Sequence, residues 1–85
     1  MINNLDFFKK KLIYRASYRG TKELDILLGS FVNKHINKFD KRLLLELEKF
    51  LNFEDEIILN YYQNNVVKNN IDKNEVSIMF KKYKI

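Results

Sequence analysis

Residues 12–32 read LIYRASYRGTKELDILLGSFV, and the fold turns on how that run divides at Gly20. Before the glycine, Leu5, Phe8, Leu12 and Ala16 recur three and four apart, the period of an amphipathic helix, so a first helix is expected over residues 5–19 with Asn3 or Asn4 as its N-cap. Gly20 suits the left-handed residue that closes a helix. Thr21 then caps a second helix whose apolar stripe is Leu24, Leu27, Leu28 and Phe31, running on to Ile36 and Phe39. So short a connection makes the two helices reverse or cross steeply, and it displays Arg19, Gly20 and the first turn of helix two at a corner.

The same spacing continues outward. Asp40 is a good N-cap for a third helix carrying Leu43, Leu44, Leu47, Phe50 and Leu51. A shorter fourth helix starts near Asn52 and bears Ile57, Ile58 and Tyr61, with Glu54, Asp55 and Glu56 favourable at its positive N-terminal end. Residues 63–70 are rich in Asn and weakly patterned, as a loop is. Asp72 and Glu75 resemble a capping box ahead of a last helix with Val76, Met79, Phe80 and Tyr83. Ile, Val and Tyr also cluster over residues 56–67, but a lone strand there would have no partner. The expectation is an all-α, compact bundle of five short helices forming a single domain over residues 1–85.

Composition agrees with that class. The 85 residues include no Pro and only two Gly, too little punctuation for a β-sandwich. Cys is absent, so disulfides, thiolate metal sites and cysteine nucleophiles are excluded. Aromatic residues are 14% of the chain, enough to build a real core without covalent staples. The apolar run over residues 26–32, interrupted by Gly29 and Ser30, falls far short of the roughly 18 residues of a membrane span. Residues 1–11 carry Asp6, no Arg, no small-residue cleavage site and no useful apolar core, so no targeting peptide is read there and a cytoplasmic protein is expected, with no membrane partner.

The net charge of +5 is unevenly placed. Residues 1–22 hold six bases against Asp6, residues 40–60 hold three bases against six acids, and residues 61–85 are basic again. Thirteen of the sixteen bases are Lys and eleven Asn accompany them, a bias that an A/T-rich genome imposes on any surface, so basicity alone is poor evidence for nucleic acid. A small basic helical module gripping phosphates with Lys9, Lys10 and Lys11 is the competing function; it requires affinity to fall steeply with salt.

No catalytic constellation is visible. His35 is the sole histidine and has no Ser, Asp or second His at productive helical spacing; a helix C-terminal histidine favoured by the dipole is the ordinary reading. The acids at 54–56 point in different directions and lack the glycine-bearing loop of a calcium site. The two glycines form neither a P-loop nor a dinucleotide fingerprint. Phe7 with Phe8, and Tyr61 with Tyr62, are neighbours of which only one can face a helical core. At the corner, Glu23 and Asp25 lie about 200° apart around a helix and cannot work as an acid/base couple. The structural expectation for them is that they favour the helix N-terminus and pair with Arg15 or Arg19, adding a few tenths to about 1 kcal/mol.

Arg19-Gly20-x-x-Glu23-x-Asp25 resembles the RGxxExD signature of the SdhE/YgfY family, bacterial relatives of the mitochondrial succinate dehydrogenase assembly factor. Residues 12–15 (LIYR) and 24–31 (LDILLGSF) look like that family's first two helices, and residues 44–61 like its third and fourth, with Tyr61 where a Trp is usual. Roughly residues 9–83 are covered, and the last helix has diverged. The resemblance implies a five-helix bundle that is no enzyme. It implies an assembly factor, or chaperone, that binds the flavoprotein subunit of succinate dehydrogenase, and in bacteria of fumarate reductase, and promotes covalent attachment of FAD. It further implies that FAD resides in the partner and that this chain binds no cofactor stably. Arg19, Gly20, Glu23 and Asp25, with Tyr14 and Tyr18 beside them, are then the expected partner-binding residues, Arg19 and Glu23 orienting the partner and Asp25 bracing the hinge.

Overall fold

A computed structural model of the chain describes residues 4–84. Among them lie five α-helices: α1 (Asn4–Ser17), α2 (Lys22–His35), α3 (Lys41–Leu51), α4 (Asp55–Asn64) and α5 (Glu75–Lys81). The expected all-α bundle of five short helices forms, with no strand among the described residues. Its radius of gyration, 12.3 Å, matches the roughly 12 Å of a compact chain of this length.

The apolar stripes meet in one core. Leu12 and Ala16 of α1, Leu24, Leu28 and Phe31 of α2, and Leu44, Leu47 and Phe50 of α3 all belong to it. Phe80 from α5 sits at the hub: its ring lies 5.3 Å from Phe31, 5.5 Å from Phe50 and 4.8 Å from Tyr62. Tilted and edge-on aromatic pairs of this kind add about 0.5–1.5 kcal/mol each beyond the area they bury. The neighbouring aromatics divide as the helical period requires: Phe8 is half-buried beside exposed Phe7, and Tyr61 is buried beside half-buried Tyr62.

Several boundaries differ from the sequence reading, each for a local reason. Leu5 is exposed, and the inward stripe of α1 is carried by Phe8, Leu12 and Ala16. Asn4 is the first helical residue described, and the alternative cap, Asn3, lies outside the described residues. Helix α1 stops at Ser17 rather than 19, so the hinge has four residues, not two. Helix α2 stops at His35, and Ile36–Lys38 tighten into a 3-10 turn that still buries Ile36 and brings Phe39 into the core. Asp40 caps α3 as expected, its carboxylate accepting from the Leu43 amide at 2.9 Å.

Helix α4 begins at Asp55, with Glu54 rather than Asn52 in the cap position, and runs to Asn64, taking two residues from the expected loop. It ends on Asn65 at φ 59°, and the following loop uses Asn69 and Asn70 in the same left-handed region, which Asn tolerates better than other non-glycine residues. Ahead of α5, a 3-10 turn at Ile71–Lys73 buries Ile71 and absorbs Asp72, so the capping box does not form. Asn74 caps instead. Its side-chain oxygen accepts from the Ser77 amide at 2.9 Å, while its amide nitrogen donates to the carbonyl and carboxylate of Glu46 at 2.9 and 3.0 Å, joining α5 to α3.

His35 is the last residue of α2, the helix C-terminal place expected for it. It packs against Phe31, 5.0 Å between ring centroids, and Tyr83, 5.9 Å. Burial, with Lys34 and Lys38 nearby, holds its pKa below the ordinary value.

Two measurements check this packing. Asn74→Ala removes a cap and the tie to Glu46 together, and should cost about 2 kcal/mol in urea unfolding, against a few tenths for a change at exposed Asn37. Because the native His35 pKa is depressed, the unfolded chain takes the proton first. Stability is therefore at its full value above the unfolded pKa of about 6.5, falls as pH drops below it, and levels off below the native value. His35→Gln should flatten that slope between pH 7 and 5.

Candidate functional site: the corner between α1 and α2

The polypeptide leaves α1 at Ser17, makes one more helical bond from the Tyr18 amide to the Tyr14 carbonyl at 3.1 Å, and turns at Gly20 with φ +104°. That conformation is strained for any residue with a Cβ, yet a Cβ there would meet nothing within 4 Å. Gly20 is thus required by the turn while the space around it stands open. Thr21 occupies the N-cap position of α2 in extended geometry, and its carbonyl accepts the Asp25 amide at 2.8 Å.

The charges pair differently from the expectation. Asp25, in the first turn of α2, reaches back to accept the backbone amide of Arg19 at 2.7 Å, so it braces the hinge through the main chain. Glu23 is exposed and accepts from the Gln63 side chain at 2.9 Å. The Arg19 guanidinium turns inward, with its side chain only 10% exposed. Its Nε donates to Asp55 Oδ1 at 2.5 Å, Nη1 to the Leu51 carbonyl at 2.9 Å and Nη2 to the Phe53 carbonyl at 2.5 Å. Arg15 reaches the same junction, donating to Asn52 Oδ1 at 2.7 Å.

These contacts have a common physical cause. The Leu51 carbonyl ends α3 without a helical partner and at the negative end of its dipole, the Phe53 carbonyl lies in the link to α4, and Arg19 supplies donors and positive charge to both. Asp55, the first residue of α4, completes the set: its second oxygen accepts the Thr21 hydroxyl at 2.9 Å, so Thr21 ties two helices together instead of capping its own. The corner is clamped onto the α3–α4 junction from both sides of Gly20.

Facing outward are Gly20, Glu23 and two aromatic rings. Tyr14, in the last turn of α1, and Tyr18, just past its end, pair as tilted rings with centroids 4.7 Å apart and are 65% and 70% exposed. The six residues singled out from the sequence are thereby brought to one bend, four of them exposed and two, Arg19 and Asp25, turned into its bracing. The sequence reading missed Asp55 and Asn52. Asp55 looked like one of three acids at a helix N-terminus, and only the tertiary fold shows which of them meets Arg19.

A family model described as the flavinator of succinate dehydrogenase, Sdh5, matches residues 10–84, almost the whole chain. The chain belongs to the Sdh5 family. Among curated relatives, the mitochondrial succinate dehydrogenase assembly factor 2 of Dictyostelium discoideum is 35% identical over 60 residues, which are 71% of this chain and 43% of that protein. The FAD assembly factor SdhE of Acetobacter pasteurianus is 36% identical over 53 residues, 62% of this chain and 49% of that one. The mitochondrial succinate dehydrogenase assembly factor 2 of Caenorhabditis briggsae is 37% identical over 62 residues, 72% of this chain and 51% of that protein. The matched stretches thus span about half, or less, of the length of these relatives. No solved structure matches the chain. In this member of the Sdh5 family, no helix among the described residues is long and apolar enough to cross a membrane.

Removing the carboxylate of Asp55 leaves a largely buried guanidinium without its counter-charge and the Thr21 hydroxyl without its acceptor. Asp55→Ala should therefore destabilise the fold by about 2 kcal/mol, less than the 3–5 typical of a fully buried pair because Asp55 itself is 27% exposed. Glu56→Ala, one residue on and exposed, should change stability by under about 0.5 kcal/mol in the same chemical denaturation.

Proposed function

We propose that this chain binds the flavoprotein subunit of succinate dehydrogenase through the α1–α2 corner and promotes covalent attachment of FAD to that subunit, without making or breaking bonds itself. The observation that carries the proposal is the family match over residues 10–84. The build of the corner supports it. A bend clamped by Arg19, Asp25 and Asp55 presents a glycine with free space above it and two adjoining tyrosine rings, the combination that lets a partner backbone approach closely while aromatic rings supply contact area.

In this proposal Arg19 acts by holding the corner rather than by reaching across, Glu23 and the tyrosines touch the partner, and the flavin stays in the partner throughout. Attachment requires the flavin and the receiving side chain of the flavoprotein to reach near-attack geometry. A factor that binds one conformer of the flavoprotein more tightly raises that conformer's population, and each 1.4 kcal/mol of preference is worth tenfold in the rate. Nothing in that mechanism asks this chain for an acid, a base or a metal. The phosphate-binding alternative is weaker: Lys9, Lys10 and Lys11 fan over about 200° of α1, and Lys9 is half-buried, so the three do not form one outward stripe.

Co-expression with the flavoprotein subunit, followed by denaturing electrophoresis and in-gel flavin fluorescence, tests the proposal, with the fumarate reductase subunit as a parallel client. Covalent flavin should appear faster with this chain than without it. Gly20→Val should abolish most of the gain while unfolding only about 1–3 kcal/mol more easily, since its strain is confined to the backbone. Equal flavin yield with wild type, Gly20→Val or no chain at all would refute the assignment.

A further inference from the structure

Ile26 follows Glu23 by one helical turn on α2. It is 56% exposed, whereas Leu24, Leu27 and Leu28 around it are buried. One exposed isoleucine is ordinary on a protein surface. This one borders a hollow of about 350 Å³ lined by Glu23, Ile26, Leu27, Tyr62 and Lys84. Leu27 and the Tyr62 ring give it apolar walls, and Glu23 and Lys84 give it rim charges of opposite sign.

The hollow is held in shape. The Tyr62 hydroxyl donates to the Tyr83 carbonyl at 2.6 Å, fixing the segment that carries Lys84, whose Nζ lies 5.8 Å from the Tyr62 ring centroid. Glu23 is steadied by Gln63, also on α4. The Tyr62 hydroxyl is already engaged, so two rim charges are left to orient a ligand, too few for a small polar molecule. An apolar side chain on a protein surface needs no more than this. It gains by leaving water, and flanking charges set its register.

We propose that this hollow seats an apolar side chain of the same flavoprotein surface that meets the corner, with a basic group of the partner beside Glu23 and an acidic one beside Lys84. The proposal rests on the corner reading above, because Glu23 belongs to both surfaces and makes the two continuous. Ile26 is then a specificity contact that the RGxxExD motif does not include.

The test measures binding of the full chain to the purified flavoprotein subunit by calorimetry, with thermal unfolding of each variant as the control for folding. Ile26→Asp should weaken binding at least tenfold, Ile26→Met should stay within threefold of wild type, and Lys34→Glu, at the far end of α2, should leave binding unchanged. If Ile26→Asp binds within twofold of wild type while Gly20→Val loses binding, the hollow is not part of the interface and the corner assignment survives. If neither variant alters binding, both assignments fall. If wild type sediments as a dimer that Ile26→Asp dissociates, the hollow belongs to self-association and the proposal is overturned.

Discussion

A guanidinium taken nine-tenths out of water must find acceptors or the fold fails, and Arg19 finds two main-chain carbonyls and a carboxylate, all at one junction. That requirement organises the molecule. It fixes where α1 ends relative to α3 and α4, turns the hinge so that Gly20 faces solvent, and draws Thr21 and Arg15 onto the same few residues. The apolar core makes the bundle stable, but a core of aliphatic and aromatic side chains is tolerant of small rearrangements. Directional bonds from a planar donor are not. The precision of the corner therefore comes from polar contacts laid over a nonpolar scaffold.

This arrangement separates two tasks within one short motif. Arg19 and Asp25 look inward and set the shape of the bend, while Gly20 and Glu23 look outward from it. A motif of this kind need not be a list of contact residues. Half of it can specify geometry for the other half: a substitution among the outward residues removes an exposed group, and one among the inward residues displaces it.

What was legible in the sequence follows from the range of the forces involved. Helices announced themselves through the three-and-four spacing of Leu24, Leu27, Leu28 and Phe31, and of Leu44, Leu47 and Leu51, because burial of one helical face is a local pattern. Gly20 was legible because its backbone conformation requires glycine, and Asp40 because a cap acts within one turn. The 3-10 turns at Ile36–Lys38 and Ile71–Lys73 were not, since they bury the same apolar residues an α-helix would. Nor was the partner of Arg19, which stands 36 positions away among three adjacent acids, or the hollow beside Ile26, whose far wall is supplied by Tyr62 on α4.

The length of chain between Arg19 and Asp55 also bears on how the molecule folds. The α1–α2 hairpin is local and can begin to form early, but its bend has no acceptors for the guanidinium until α3 has ended and α4 has begun. The bend therefore takes its final shape only once α3 and α4 are in place. A peptide comprising the hairpin alone would carry every residue of the RGxxExD signature and still lack the carbonyls that orient it, so it would be a poor mimic of the intact surface.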